Sequence, residues 1–239
     1  MTLIESPSAD IAQNVRCHID WQYYLDRREQ TLLEAESLPP YLLLPEVEQL
    51  LNVTKNDVHH FLINTLFHTG GRISEVLALT QGRFLIGDRP NPLIALPTIK
   101  RRGRPSKTQA NKPKTRIIPV MDGAYIDEAL RYFSTHSKGV NELLFPITRL
   151  TADRWVKAAV KSLVASGREL GIPVSCHTFR HSFAVNALLH WIDSKTVQRW
   201  LGHSDPRSTE IYLQILNQDT AHLMARVSFD SGLIKKNSL

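Results

Sequence analysis

Residues 176–212 read CHTFRHSFAVNALLHWIDSKTVQRWLGHSDPRSTEIY, and the rest of the chain is organised around this stretch. Its apolar residues recur at helical spacing, which predicts a core-packed helix with His177 and Arg180 at its start. Residues three apart share a helix face, so the imidazole and the guanidinium point the same way. His203 and Tyr212 follow within the stretch. Together these side chains can bind a phosphate and attack it.

The composition is ordinary for a soluble globular protein. The 239 residues are 42% hydrophobic and 22% charged, which suits one or two domains with a real core. The chain has no run of about 18 apolar residues that would predict a transmembrane helix. Its polar, acidic start does not resemble a signal peptide, and Cys17 and Cys176 are too few for a disulfide framework. We therefore expect a cytoplasmic protein that does not bind membranes.

The positive charge is concentrated in one segment. Of the 29 Lys and Arg residues, eight lie between Lys100 and Arg116 with no acidic residue among them, and the other 21 face 23 acidic residues. A block of like charge stays solvated unless it binds a polyanion. A solubilising loop is the alternative, but contact with nucleic acid is the better interpretation. The predicted DNA-binding residues are Arg101, Arg102, Arg104, Lys107, Lys112 and Lys114.

Within this segment, Arg101-Arg102-Gly103-Arg104-Pro105 resembles the core of the AT-hook, which lies extended in a narrow minor groove. Flat guanidinium groups suit the negative potential of that groove, and glycine lets the backbone approach closely. So short a match also occurs by chance in basic loops. Both interpretations stay open.

The N-terminal part is predicted to be an arm of residues 1–38, with a disordered start and one helix from Val15 to about Glu36. Pro39-Pro40 ends that helix. The amphipathic pattern leaves open whether the arm packs on the main domain, on a partner subunit or on DNA.

Arg72 follows a helix end and opens a new helix. Gly70-Gly71 ends a helix for which Asp57 is the predicted N-cap, and the next helix continues to Leu79. An arginine this close to the buried start of a helix has a fixed position. A structural ion pair with Glu75 and a functional cation are both open interpretations.

Three short apolar runs between residues 83 and 120 predict a small antiparallel sheet, with the basic segment connecting the last two strands. The runs are Phe84-Leu85-Ile86, Leu93-Ile94-Ala95-Leu96 and Arg116-Ile117-Ile118-Pro119-Val120.

The remainder is predicted to be helical. The predicted helices are Asp127 to Phe133, Ala152 to Leu170, the helix starting near His177, a short helix capped by Ser194 and closed by Gly202, a helix opened by Pro206 that bears Tyr212, and Asp219 to Val227. The predicted fold class is mostly α (α+β), with one small three-stranded antiparallel sheet.

Tyrosine suits transesterification of a phosphodiester because it can store the bond energy as a covalent phosphotyrosine. Charge gathers on the nonbridging oxygens of the attacked phosphate, and the planar donor forks of two arginines match it. A histidine can donate to the phosphate or take the tyrosine proton, and a lysine can protonate the leaving oxygen. No metal or other cofactor is needed if these cations act together. Taken alone, Tyr212 would more often be a packing residue, and His177 with His181 could mimic a metal pair without a third ligand.

Four boxes of the sequence resemble the tyrosine recombinase (phage integrase) family. They are TGGRISEVLAL at 69–79, HTFRHSFA at 177–184, LGH at 201–203, and Tyr212. Their order and spacing are those of the family, and the match covers about Pro39 to Val227. The resemblance implies a catalytic domain at residues 39–228 and a flexible C-terminal tail at 229–239.

The resemblance also implies a role for each matching residue. The implied catalytic residues are Arg72, Lys100, His177, Arg180, His203 and Tyr212, with Glu75 in support. In the family the two arginines and the third-box histidine hold the scissile phosphate, and the other histidine assists proton transfer. The tyrosine attacks to give a 3′-phosphotyrosyl link and a free 5′-hydroxyl. The general acid is a lysine of the hairpin between the second and third strands. Lys100 matches that position best, and the other lysines of the enlarged hairpin are rivals.

The function implied is site-specific recombination of double-stranded DNA for a plasmid, phage or other mobile element, by resolution, inversion or integration. The resemblance implies a homotetramer on two DNA sites, linked by exchange of C-terminal elements beyond Asn217, and leaves accessory DNA-bending proteins open. Most members carry a further N-terminal helical domain of roughly 80–100 residues. Here only the arm precedes Pro39, as in small members of the family.

Two alternative functions stay open. The first is a non-catalytic DNA-binding regulator on the same fold, which would have no need of the nucleophile. The second is a type IB topoisomerase-like enzyme, which shares the chemistry and would relax supercoils without site preference.

Overall fold

The computed structural model describes residues 19–34, 38–87, 90–98, 115–136 and 139–216. Within these ranges the chain is mostly helical, with one small sheet. In chain order the elements are α1 (Trp21–Glu34), α2 (Leu44–Val53), α3 (Asp57–Thr69), α4 (Ile73–Val76), a 3-10 turn (Gln81–Arg83), β1 (Phe84–Leu85), β2 (Leu93–Pro97), β3 (Thr115–Pro119), α5 (Gly123–His136), α6 (Arg149–Ala165), α7 (Cys176–Leu189), α8 (Ser194–Leu201), α9 (Arg207–Glu210) and a 3-10 segment (Ile211–Ile215). The predicted fold class is confirmed.

The three strands form an antiparallel sheet in the order β1-β2-β3. Ile94 of β2 pairs with Phe84 on one side and with Ile118 on the other. Because successive side chains of a strand face opposite sides, Ile94 and Leu96 are buried together, as are Ile118 and Arg116 of β3. The alternation therefore turns a charged side chain, Arg116, toward the interior.

Two predicted helix caps are wrong by one residue each. Asn56, not Asp57, caps α3, and its Oδ1 accepts the backbone N–H three residues ahead at 3.0 Å. Asp193, not Ser194, caps α8 in the same way at 2.9 Å. Each pair offers two suitable side chains, and the cap is the one whose backbone is extended and whose oxygen reaches that N–H.

Four predicted helices also differ from the structure in their bounds, and one of them, predicted at Asp127 to Phe133, is longer at both ends as α5 (Gly123–His136). α1 begins at Trp21, because the Asp20 carboxylate accepts the N–H of Tyr23 at 3.0 Å and so caps the helix there. α4 is a single turn that ends at Val76. α6 ends at Ala165, shortly before the chain turns at a glycine with a φ of 83°.

Tyr212 does not lie on the α-helix predicted for it. α9 covers only Arg207–Glu210, and the tyrosine belongs to the 3-10 segment that follows. The tighter 3-10 geometry is common in short pieces at helix ends. It changes the direction of the tyrosine side chain relative to a continuous α-helix.

The core consists of two apolar clusters. The larger cluster joins α2, α3, the sheet, α5 and α6, and the ring of Phe61 stacks on Tyr132 there with 4.2 Å between centroids. The second cluster surrounds α7, α8 and the 3-10 segment, and includes Tyr212. α1 packs on this second cluster, and its buried Arg28 pairs with Glu46 of α2. The sequence left open whether the arm packs on the main domain, on a partner subunit or on DNA. In the structure, helix α1 packs on the main domain.

Several predictions fall outside the described residues. They concern the disordered start at residues 1–14, the basic segment from Lys100 to Lys114, the helix from Asp219 to Val227, and the tail at 229–239. In the part of the chain that is described, none of the helices has the length and apolar character needed to cross a membrane.

Candidate active site

A tight turn between α3 and α4 positions the first candidate cation. Gly70 ends α3 with a φ of 55°, and a Cβ there would lie 2.5 Å from the ring of Phe183 on α7. Glycine therefore allows both the left-handed turn and the close packing on α7. Arg72 follows as the N-cap residue of α4, and its side chain is 40% exposed. The turn thus holds a guanidinium at the surface on a rigid support.

A fully buried carboxylate fixes Arg72. Glu75 accepts the backbone N–H of Arg72 at 2.9 Å and its Nη1 at 3.1 Å. Although burial alone raises the pKa of the Glu75 carboxyl, hydrogen bonds and positive charge from Arg116 and Arg72 outweigh it and hold that pKa below its ordinary value. The structural ion pair considered from the sequence is present, and Arg72 keeps an exposed side chain besides.

The main partner of Glu75 is Arg116, which the sequence did not single out as a site residue. Its two terminal nitrogens donate to the two carboxylate oxygens of Glu75 at 2.9 and 2.6 Å. The only signal in the sequence was the alternation of β3, and it was ambiguous, because neighbouring Ile117 is apolar yet 50% exposed. The structure therefore adds a second arginine to the carboxylate.

Gly202, in the LGH box, leaves room for Arg116. It ends α8 with a φ of 65°, and a Cβ there would lie 2.5 Å from Cδ and 2.6 Å from Nη1 of Arg116. The box glycine thus serves two purposes: it closes the helix in a left-handed conformation and lets the arginine pass.

Arg180 is buried and links two turns by hydrogen bonds. It is 2% exposed, and it donates to the carbonyl oxygen of Gly70 at 2.8 Å and to that of Leu201 at 2.7 Å. Burial, together with the charges of Arg72 and Arg116, lowers the pKa of Arg180 to about 9, so the guanidinium stays charged at neutral pH. This one side chain links the ends of α3 and α8, and so the first and third boxes.

His203 is oriented by Thr209 of α9. Its Nδ1 lies 2.8 Å from the hydroxyl of Thr209, which is itself buried. The pKa of His203 is lowered to about 4, mainly by burial and further by the charges of Arg180, Arg72 and Arg116. These three arginines, from distant parts of the sequence, therefore act on the same imidazole.

His177 lies close to the same arginines, Arg180 and Arg72. Its backbone N–H donates to the capping side chain of Ser175 at 3.2 Å, which fixes the first turn of α7. Partial burial and the charges of Arg180 and Arg72 lower its pKa. Its ring meets that of His181 edge to face, with 4.5 Å between centroids.

Tyr212 is buried, at 2% exposure, and hydrogen-bonded to a histidine of α7. Its hydroxyl lies 2.5 Å from Nδ1 of His181. Burial raises the pKa of Tyr212 to about 12, against an opposing effect of Arg180. The phenol is therefore neutral at neutral pH. It is close enough to Arg180, a candidate phosphate ligand, for the charge of that guanidinium to affect its pKa.

The structure thus brings the predicted residues of four separate boxes into one site. They are Arg72, Glu75, His177, Arg180, His203 and Tyr212. Lys100 and the six predicted DNA-binding residues lie outside the described residues. Sequence reasoning missed Arg116 and Thr209, and noted His181 only as half of a metal-like pair.

The family model described as "Phage integrase family" matches residues 41–219. The chain therefore belongs to the phage integrase family, and it is a site-specific recombinase of the tyrosine type. A "Probable site-specific recombinase in afa region" of Escherichia coli is 36% identical over 189 residues, which are 78% of this chain and 75% of the relative. A "Resolvase" of Escherichia coli is 32% identical over 219 residues, 85% of this chain and 84% of the relative.

Solved structures share the fold. The crystal structure of XerA recombinase matches with a TM-score of 0.60 at 20% identity, covering 81% of this chain and 66% of that chain. The post-cleavage complex of XerH recombinase with a palindromic difH substrate matches with a TM-score of 0.60 at 21% identity, covering 80% of this chain and 54% of that chain. This chain therefore spans about half the length of the XerH recombinase.

Proposed function

We propose that this chain cuts and rejoins double-stranded DNA at a specific site, with Tyr212 as the nucleophile. One observation carries the proposal: Arg180 donates to the carbonyl oxygens of Gly70 and Leu201 and so joins the turns that bear Arg72 and His203. The pKa of His203, lowered by Arg180 and Arg72, and the effect of Arg180 on Tyr212 agree with this arrangement. A site that gathers cations around neutral histidines and a tyrosine suits an anionic phosphodiester. The product of attack is a 3′-phosphotyrosyl link and a free 5′-hydroxyl.

Arg72, Arg180 and His203 are the proposed ligands of the scissile phosphate. The exposed side chain of Arg72 is the cation that incoming DNA meets first. A guanidinium carries five N–H donors, so the two carbonyl bonds of Arg180 do not exhaust it. The hydroxyl of Thr209 occupies Nδ1 of His203, which leaves Nε2 to face the phosphate. Loss of one such donor is expected to slow cleavage about 10²- to 10³-fold.

The leaving 5′-oxygen needs a proton, for which Lys100 is the proposed donor. Lys107, Lys112 and Lys114 remain rivals, as in the sequence. We further propose that the basic segment grips DNA through Arg101, Arg102 and Arg104. Deleting residues 101–105 should weaken DNA binding and flatten the dependence of log K on log salt by about 0.9 per lost phosphate contact. An unchanged salt slope would remove this role.

The assembly proposed is a homotetramer on two DNA sites, with the final segment of each chain exchanged between subunits. The tetramer and the exchange follow from the family resemblance alone. Support for DNA as the partner comes from the relatives, one named a resolvase and one a site-specific recombinase, and from a neighbour solved in complex with its substrate site. Origin from a mobile element, accessory DNA-bending proteins and a cytoplasmic location stay predictions.

The burial of Tyr212 is the specific observation that favours the second candidate, a non-catalytic DNA-binding regulator. A tyrosine that only packs would also be buried in the apolar cluster. The presence of neighbouring cations favours the catalytic alternative, because packing alone does not call for them.

A suicide substrate separates the two functions. The chain is mixed with DNA fragments that carry a nick near the cleavage position, so that cleavage releases a short strand and traps the covalent link. We expect a denaturant-resistant adduct with the wild-type chain and none with Tyr212→Phe. No adduct with the wild-type chain, or an adduct with Tyr212→Phe, would overturn the proposed function.

A further inference from the structure

We propose that His181 is a further catalytic residue, which holds the hydroxyl of Tyr212 and takes its proton as the oxygen attacks phosphorus. The inference rests on the proposed function and deepens it, because it assigns the base for the nucleophile. The observation behind it is the hydrogen bond between Nδ1 of His181 and the hydroxyl of Tyr212, at 2.5 Å.

The helix and the 3-10 segment bring these two groups together from 31 positions apart. His181 follows Arg180 directly on α7, so the base and a candidate phosphate ligand are adjacent on one rigid element. The two rings are tilted by 49° with 5.9 Å between centroids, which places the imidazole beside the phenol oxygen and not over the ring face. A candidate base must lie within hydrogen-bond reach of the proton that it takes, and His181 does.

His177, to which the family resemblance gives the proton-transfer role, contacts His181. The two rings meet edge to face with 4.5 Å between centroids, while the hydroxyl of Tyr212 is bonded to His181 itself. The geometry therefore assigns direct contact with the reacting proton to His181. His177 is a neighbour whose protonated form would lower the pKa of His181 further.

The electrostatics keep the proton of this pair on the tyrosine. Burial and the charges of His177, Arg180 and His203 lower the pKa of His181 to about 3, so its imidazole is neutral and Nδ1 can accept. Burial raises the pKa of Tyr212 to about 12. The proton therefore stays on the phenol. A bound phosphate anion opposes the cations that depress the pKa of His181, so DNA binding favours the transfer.

The step balances without any further reactant. The O–H bond of Tyr212 breaks and its proton moves to Nδ1 of His181, while the phenolate oxygen bonds to phosphorus. The bond from phosphorus to the 5′-oxygen breaks, and that oxygen is protonated by a separate acid. In rejoining, the 5′-hydroxyl attacks the phosphotyrosine and His181 returns its proton to the departing phenolate.

The test compares His181→Asn with the wild-type chain in single-turnover cleavage of the suicide substrate. The Asn carbonyl oxygen can still accept a hydrogen bond near the position of Nδ1, but it cannot take a proton. General-base catalysis is typically worth 10²- to 10⁴-fold, so we expect cleavage to slow by at least about 100-fold. His190→Asn is the matched control, because this exposed histidine lies at the end of the same helix, and it should cleave like the wild type.

A substrate with sulfur in place of the bridging 5′-oxygen shows whether a variant is defective in activating the tyrosine or in protonating the leaving group. A thiolate leaves without an acid, so this substrate should restore cleavage to a variant of the acid lysine and should not restore it to His181→Asn. Restoration of His181→Asn would overturn the assignment, and so would cleavage within threefold of the wild type on the ordinary substrate.

A second variant, His181→Gln, guards against a purely structural effect. Both variants should bind the DNA site within threefold of the wild type while cleaving slowly. Loss of DNA binding together with cleavage in both would show a structural residue and overturn the inference. A wild-type chain that forms no adduct at all would instead overturn the proposed function, and this inference with it.

Discussion

Arg116 and Glu75 meet across 41 residues of sequence, with two hydrogen bonds of 2.9 and 2.6 Å between guanidinium and carboxylate. The Glu75 side chain has no exposed surface and that of Arg116 only 8%. A charge pair this buried is costly to break, because the remaining partner keeps its charge without water. The pair joins β3 to α4, and through Glu75 it supports Arg72.

Removal of the arginine should therefore be severe. We expect Arg116→Met to lower the free energy of unfolding by up to about 3–5 kcal/mol, since the fully buried Glu75 carboxylate loses its main partner and keeps only Arg72. Urea unfolding measures the change. Arg149→Met is the control, because the exposed pair of Arg149 with Asp153 at 4.0 Å should contribute less than about 1 kcal/mol. Equal losses in the two variants would contradict the role given to Arg116.

Stability should depend on pH through Glu75. Its pKa is lower in the folded chain than its ordinary value of 4.5, so the unfolded chain binds more protons as the pH falls. The contribution of Glu75 is thus fully present above that value and is lost as the pH falls through the folded pKa. Urea unfolding between pH 3 and 6, in steps of about half a unit, should show a steeper loss for the wild type than for Glu75→Gln. Parallel curves would contradict this.

Gly202→Ala tests whether the LGH turn needs a glycine because the side chain of Arg116 packs against it. The new methyl group would overlap Cδ of Arg116, so the guanidinium must move away from Glu75. Gly167→Ala is a matched control, because its φ is also positive, at 83°, but nothing lies within 4 Å of the added Cβ. Both substitutions carry backbone strain of about 1–3 kcal/mol.

Thermal and urea unfolding should show a clearly larger loss for Gly202→Ala than for Gly167→Ala, accompanied by slower cleavage. If the two variants are equally stable and equally active, steric exclusion by Arg116 is not the reason for this glycine.

Thr209→Val should affect catalysis more than binding. The change removes the hydroxyl that orients His203 and keeps the side-chain shape. One hydrogen bond is worth about 0.5–1.5 kcal/mol, so cleavage should slow up to about tenfold with DNA affinity nearly unchanged. Thr209→Ser keeps the hydroxyl and should restore the rate. Failure of the serine variant to do so would mean that packing, and not orientation of His203, is what Thr209 provides.

The sequence by itself predicted which residues carry the proposed chemistry. The resemblance of the four boxes to the family singled out Arg72, His177, Arg180, His203 and Tyr212. The glycine turn, the helix start and the helix end that bear them are local features readable from neighbouring residues. The antiparallel sheet was also predicted, since period-two apolar runs between turn residues are local signals.

Only the tertiary structure decided how those residues are held. Arg116 reaches Glu75, Thr209 reaches His203 and His181 reaches Tyr212 because separate elements pack face to face. Spacing along a chain gives no measure of the distance between elements. The partner of a buried side chain depends on which way that side chain points and on which other groups are buried beside it. The stretch from 176 to 212 therefore contained the proposed nucleophile, while the packing of the 3-10 segment on α7 decided that its hydroxyl lies beside His181.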